Sequence, residues 1–273
     1  MSSPLAPPGQ PRRWRPAPLV GGAATVHAGA LAALLAAPAS WPWAAGGVVA
    51  SHLALTAAGL WPRSALLGHN WTTLPDTAGA CVAITIDDGP SPEVTPRVLD
   101  LLDRHQARAT FFCIGERARE HPGIVREIVA RGHAVENHSQ RHRHHFSLLG
   151  PRAMRREIEA AQDTLGDITG TRPLFFRAPA GLRNPFLEPV LCGLGLHLAS
   201  WTRRGFDTRT GDAALVARRL LDGFAPRDIL LLHDGHTARD ASGAPVILAA
   251  LDTVLHAAGA RSLATVTLRE AIA

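Results

Sequence analysis

The sequence predicts an α/β fold: a parallel sheet built from about seven strand–helix units, preceded by two apolar helices. Three observations lead there. From Cys81 onward, short runs rich in Val, Ile, Leu and Phe alternate with segments of helical period, the pattern of repeated βα units. Several of those runs end on polar residues followed by Gly or Pro, which stop a strand and force a turn. Between Pro16 and Pro62, by contrast, there is no charged residue at all.

The chain has 273 residues, enough for one large α/β domain and an appendage. A composition 46% hydrophobic and 19% charged fits a folded protein with some membrane character. The formal charge is +5, and all 28 basic residues are arginine. They are scattered without interleaved aromatics, which excludes a nucleic-acid-binding patch. Cys81, Cys113 and Cys192 all sit in apolar runs and read as core residues, not as a disulfide framework or a thiolate metal site.

In chain order, residues 1–16 are rich in Pro and Ser with Arg12, Arg13 and Arg15, and read as a flexible basic tail. Residues 17–62 hold the apolar runs Leu19–Ala37 and Ala44–Leu60, each close to the ~20 residues that cross a bilayer. Trp41, Trp43 and Trp61 suit the membrane interface. A transmembrane hairpin is the leading expectation. A signal peptide cleaved near Ala37-Pro38-Ala39, or two buried helices of the soluble domain, are the alternatives. With arginines only outside the two runs, both ends of a hairpin belong on the cytoplasmic side of the inner membrane. Residues 63–79 read as a linker and 80–273 as the main domain. Strands are expected at Cys81–Ile86, Ala109–Ile114, Ala134–Asn137, Leu174–Arg177, His197–Trp201, Ile229–Leu232 and Ala264–Thr267. Between them fall helices at Val94–His105, Pro122–Arg131, Arg152–Leu165, Pro185–Leu194, Ala213–Leu221 and Pro245–Ala258. The order suits a parallel barrel or a doubly wound sheet, and both gather reactive residues at strand C-termini.

The strand ends carry chemistry. Ile84-Thr85-Ile86-Asp87-Asp88-Gly89-Pro90 places two adjacent carboxylates at the mouth of a buried strand, costly unless a positive group such as a divalent ion lies between them. His138 and His142 are four residues apart, so one helical turn would face both imidazoles the same way. Two imidazoles and a carboxylate with an open position make a catalytic zinc-type site. Arg177 ends another strand before the turn Ala178-Pro179-Ala180-Gly181, and is placed to pair with one of the aspartates. Asp207 follows the Trp201–Asp207 segment, and His233 ends the aliphatic run Ile229–Leu232.

Taken together, Thr85-Ile86-Asp87-Asp88-Gly89, His138-Ser139-Gln140-Arg141-His142, Arg177-Ala178-Pro179-Ala180-Gly181, Trp201–Asp207 and Leu231-Leu232-His233 resemble the polysaccharide deacetylase family with its NodB homology domain (carbohydrate esterase family 4). The resemblance covers Ala80 to the C-terminus. It implies a distorted (β/α) barrel and one divalent metal ion, usually zinc, with cobalt, manganese or nickel as alternatives. By that resemblance Asp88, His138 and His142 bind the metal and Asp87 is the general base oriented by Arg177. His233 is the general acid tuned by Asp207, and Ala180 and Leu231 belong to the oxyanion and substrate pocket. Two positions depart from the family pattern: Ala180 stands where an aromatic residue is frequent, and Thr208 where Trp commonly follows the Asp. Both changes open the pocket.

The function expected is metal-dependent removal of an N-acyl group, acetyl in the first instance, from an amino sugar of a cell-envelope polysaccharide or its lipid-linked precursor. The membrane and an N-acylated sugar are the expected partners, with no nucleic acid. The alternatives are a non-sugar amidase on the same fold and a non-catalytic membrane-anchored binding protein.

Overall fold

The structure, a computed structural model, describes residues 9–272, so residues 1–8 of the expected tail lie outside it. Helix α1 (Pro18–Ala36) and helix α2 (Trp41–Leu60) each open on a proline in the first turn, where its missing N–H costs nothing. They pack against each other, with His27 Nε2 3.2 Å from His52 Nε2, and both are long and apolar enough to cross a membrane. Ala23 is buried in α1, and Ala44, Ala58 and Gly59 in α2. These helices differ from the buried core helices of the third alternative, because Leu31, Leu34, Leu35, Trp41, Trp43, Val49 and Leu53 are exposed.

The main domain follows the alternation read from the sequence: β1 (Cys81–Asp87), α3 (Thr95–Arg104), β2 (Ala109–Cys113), α4 (Gly115–Glu120), α5 (Pro122–Ala130), β3 (Ala134–Asn137), α6 (Pro151–Thr169), β4 (Phe175–Phe176), α7 (Leu187–Leu194), β5 (His197–Leu198), β6 (Arg203–Arg204), α8 (Ala213–Leu221), β7 (Ile229–His233), α9 (Val246–Ala260) and β8 (Ala264–Thr265). The sheet order is β5-β4-β3-β2-β1-β7-β6, every pair parallel, with β8 paired to the start of β1. This is a curled half-barrel, not a doubly wound sheet. The strand completing it is β6, which lies inside the Trp201–Asp207 segment. The expected last strand shrinks to the two residues of β8.

Successive residues of a strand face opposite sides, and that alternation sorts the core. Val82, Ile84 and Ile86 of β1 and Leu230 and Leu232 of β7 meet Val98, Leu99, Leu251 and Val254 of the surrounding helices. Truncating one of these leucines to Ala is worth ~2–5 kcal/mol. Ala83 of β1, Ile229 and Leu231 of β7, Phe112 and Phe175 fill the inside with Trp71 and Trp201. Thr85 and Asp87 of β1, and His233 of β7, share that inner side.

Two segments expected to be loose are packed. Within the 63–79 stretch read as a linker, Trp71 and Leu74 are buried. Trp71 forms a bridge with Ala199 beyond β5, and Thr73 one with Asp228 before β7, so 71–74 covers the opening between the two ends of the curled sheet. The tail is anchored at Arg12, whose N–H donates to the Cys192 carbonyl at 2.7 Å and whose guanidinium donates to the Leu196 carbonyl. Backbone hydrogen bonds left open by short strands attract these segments, and hydropathy does not register them.

Candidate active site

Asp87 is the last residue of β1. Arg177, fully buried just beyond β4, donates from Nη1 to Asp87 Oδ1 at 2.6 Å and to Thr85 Oγ1 at 2.8 Å. Its Nη2 donates to the Ser200 carbonyl at 2.6 Å and its Nε to the Ala199 carbonyl at 3.2 Å, while the guanidinium stacks 4.1 Å above the Phe112 ring centroid. A buried cation is tolerated only with its donors satisfied and a counter-charge in contact, and Arg177 has both.

Asp88 leaves the strand with φ 73°, a left-handed conformation that costs an L-residue about 1 kcal/mol or more. Its carbonyl is held by Arg117 Nη1 at 2.7 Å. Gly89 permits the turn that follows: a Cβ there would lie 2.5 Å from both carboxylate oxygens of Asp234. The turn therefore needs glycine for space.

His138 and His142 do not lie on a helical turn as expected. They follow β3 in a loop in which Ser139 and His142 have φ of 64° and 49°. Asn137 Oδ1 accepts from the Ser139 N–H at 2.8 Å, and Ser139 Oγ accepts from the His142 N–H at 3.0 Å. Such side-chain acceptors compete with helical hydrogen bonds and divert the chain. The imidazoles meet all the same, their centroids 4.7 Å apart.

Both Nε2 atoms lie 3.2 Å from Asp88 Oδ1, a buried oxygen with no hydrogen-bond donor. His138 Nδ1 is 2.8 Å from the Arg177 carbonyl and must donate to it, so in the neutral tautomer Nε2 turns its lone pair toward Asp88. Burial, then the neighbouring His138, hold the pKa of His142 down to about 4, so its imidazole is neutral near pH 7. Burial opposes a charge on His138, but Asp87 and Asp88 outweigh it and raise its affinity for positive charge. An orphaned carboxylate oxygen facing two imidazole nitrogens fits a divalent cation, and one carboxylate with two imidazoles is a zinc-type donor set.

His233 ends β7. Its Nδ1 is 2.9 Å from Asp207 Oδ1, and its backbone N–H donates to Asp207 Oδ2 at 2.7 Å. Burial alone would push the imidazole down, but the buried Asp207 carboxylate raises it above its ordinary value. With Nδ1 engaged, Nε2 is left for the cavity that His233 lines.

Three residues escaped the sequence reading. His236 Nδ1 is 3.0 Å from Asp88 Oδ2. Its position three residues after His233 on the same strand-end turn was an available signal. Asp234 accepts from the Thr95 hydroxyl and is pushed up to about 7 by burial. Arg117 comes from α4, and nothing in the sequence pointed to it. A second His/Asp group, His105, Asp252 and His256, lies on α3 and α9 or beside them, away from the cavity.

The cavity above these residues measures about 560 Å3. Asp87, Asp88, His138, His142 and His233 line it, joined by Ala180, Leu231, Trp201 and Thr208. Asp207 and Arg177 stand behind, each touching a residue that faces the space. Ala180 adopts φ 55° in the turn after Arg177.

A curled parallel sheet with acids, imidazoles and an arginine gathered on one rim is an α/β barrel whose chemistry sits at its strand C-termini. Comparisons with known proteins are specific. Residues 75–199 match the family model for polysaccharide deacetylases. A chitooligosaccharide deacetylase of Azorhizobium caulinodans is 36% identical over 190 residues, 67% of this chain and 90% of that protein. The peptidoglycan-N-acetylglucosamine deacetylase PgdA of Listeria monocytogenes is 35% identical over 161 residues, 59% of this chain and 34% of its own. The match thus spans about a third of PgdA's length. Among solved structures, the family 4 carbohydrate esterase of Streptomyces lividans, in complex with acetate, superposes with a TM-score of 0.61 at 29% identity over 68% of this chain and 92% of that one. The chain belongs to the polysaccharide deacetylase family.

Proposed function

We propose that this protein is a divalent-metal-dependent hydrolase that removes an N-acyl group, acetyl in the first instance, from an amino sugar of a cell-envelope polysaccharide or its lipid-linked precursor. The observation that carries the reading is the facing of the orphaned Asp88 Oδ1 by two imidazole nitrogens with Asp87 and His233 beside it. Its chemistry agrees with the sugar N-deacetylases among the relatives.

Asp88, His138 and His142 would hold the ion, with zinc favoured by the donor set and cobalt, manganese or nickel as alternatives. Such an ion polarises an amide carbonyl and lowers the pKa of a water to about 7. Asp87 accepts the proton of the attacking water, and Arg177 holds its carboxylate in position. The backbone N–H of Ala180 is the proposed donor to the developing oxyanion, with Leu231 forming the apolar floor. His233, its imidazolium supported by Asp207, gives its proton to the departing amine. A binding protein would need neither a held base nor a held acid, and this site has both.

The domains follow as a proposal: a tail over 1–16, a membrane hairpin over 17–62, a connecting stretch over 63–79 and the catalytic domain over 80–273. Two apolar, outward-facing helices with no charge between Arg15 and Arg63 support anchorage in the inner membrane with the catalytic domain on its cytoplasmic side.

Full-length protein in detergent is expected to release acetate from N-acetylchitooligosaccharide or from N-acetylated lipid-linked sugar. Activity should vanish on chelation and return with zinc or cobalt. His138→Ala should abolish metal binding, whereas His145→Ala should not. Undiminished turnover by metal-free protein would sink the reading.

A further inference from the structure

Arg204 lines the cavity without the hydrogen-bonded partners that the other arginines around it have. Its neighbours are committed: Arg117 donates to the Asp88 and Gly235 carbonyls, Arg177 pairs with Asp87, Arg203 with Asp228, and Arg141 with Glu116 and Glu157. Arg204 makes no ion pair or side-chain hydrogen bond among the described residues, and its Nε is buried without a partner. It lies in register with Leu231 on the neighbouring strand, so it emerges on the same inner side and lines the same cavity. Arg203, one residue earlier, turns the other way to Asp228.

The guanidinium is held but not neutralised. It lies over the Trp201 and Phe206 rings, 5.4 and 4.9 Å from their centroids, contacts that orient a planar cation and leave its donors free. Asp207, then Asp87 and Asp88, attract its charge from a distance, and none of them bonds to it. The carboxylates that face the cavity elsewhere, Glu116 and Glu120, belong to α4 on the opposite wall.

Arg204's wall is also where the apolar hairpin ends. Pro62, just past α2, accepts from Ser200 Oγ at 3.0 Å. It packs on Gly181 so closely that a Cβ there would lie 2.7 Å from both Pro62 Cβ and the Trp201 ring.

We propose that Arg204 is an anion-binding residue of the substrate cavity, and that the amino sugar processed here carries an oxyanion, a phosphate ester or a carboxylate, near its N-acyl group. This rests on the deacylase reading above. A guanidinium offers two parallel N–H donors that match either group. An uncharged polymer such as chitin would leave it desolvated and unpaired, which is unfavourable.

The test is equilibrium binding to full-length protein in detergent, measured by titration calorimetry with three probes: N-acetylglucosamine 1-phosphate, N-acetylmuramic acid and methyl N-acetylglucosaminide. At least one charged probe is expected to bind about ten-fold or more tightly than the neutral glycoside, the usual worth of one charge-assisted hydrogen bond. Preference for the 1-phosphate identifies a phosphate, and preference for the muramic acid a carboxylate. Arg204→Ala should bring the ratio to about one, and Arg204→Lys, which keeps the charge but loses the fork, should retain part of it. If Arg204→Ala does not fold, Arg204→Gln replaces it. Equal binding of all three probes, no binding at all, or a preference that survives loss of the guanidinium overturns the proposal. Acetate release is recorded in parallel: a charge preference without turnover of any N-acetylated substrate would retire the deacylase reading while leaving the anion site standing.

Discussion

Asp87 and His233 are register partners on adjacent parallel strands, the last paired residues of β1 and β7. Neighbouring strands run about 4.8 Å apart, so the proposed base and acid stand side by side at the edge of one cavity. Each is held from behind by a different part of the chain, Asp87 by Arg177 and His233 by Asp207. A base and an acid so placed could serve the two proton transfers of one amide hydrolysis without rearrangement.

The proposed base Asp87 and the proposed ligand Asp88 can be separated although they are adjacent in sequence. Asp87→Asn is expected to keep the metal and lose about two to four orders of magnitude in kcat. Asp88→Asn is expected to lose the metal itself. Metal content by elemental analysis beside single-turnover rates decides it, and the reverse pattern would exchange the two roles.

Arg177→Met should damage both folding and rate. It leaves the buried Asp87 without its cation, a loss of about 3–5 kcal/mol for a broken buried pair. Denaturant unfolding of the full chain should show that drop. The double variant Arg177→Met with Asp87→Asn should recover part of the stability and none of the activity. An Arg177→Met protein of unchanged stability would contradict the buried pairing.

The pH dependence follows from His233. Asp207 raises its pKa above the ordinary 6.5, so the protonated acid persists to higher pH. Asp207→Asn should move the alkaline limb of the kcat/KM profile down by about one pH unit or more, and an unmoved limb would remove Asp207 from the mechanism. The same pair contributes stability that is complete below about 6.5 and fades as pH rises through the folded-state value. The variant should lose that contribution most at acidic pH.

Topology reporters fused to either terminus are expected to report the cytoplasm. A hairpin returns both ends to one face, and the flanking arginines choose that face. A periplasmic C-terminus would move the substrate outside the cell and favour the finished envelope polymer over its lipid-linked precursor.

The sequence by itself determined where the strands end and what stands there. A strand's apolar alternation and the Gly or Pro that stops it are local, so Asp87, Asp88, Arg177 and His233 could be placed at strand ends from the sequence alone. What only the tertiary structure decided is which of these meet. The order β4-β3-β2-β1-β7-β6 brings Arg177 to Asp87, and His233 to both Asp87 and Asp207. Four-residue spacing suggested a helical turn for His138 and His142, whereas Asn137 and Ser139 side chains bend that segment into a loop. Trp71 and Arg12 looked like parts of a linker and a tail because hydropathy cannot register a backbone that completes another segment's hydrogen bonds. Arg204 was one of many arginines until its neighbours' partners were known. Whether a charge is spent or free depends on residues distant in the chain, and only folding brings them together.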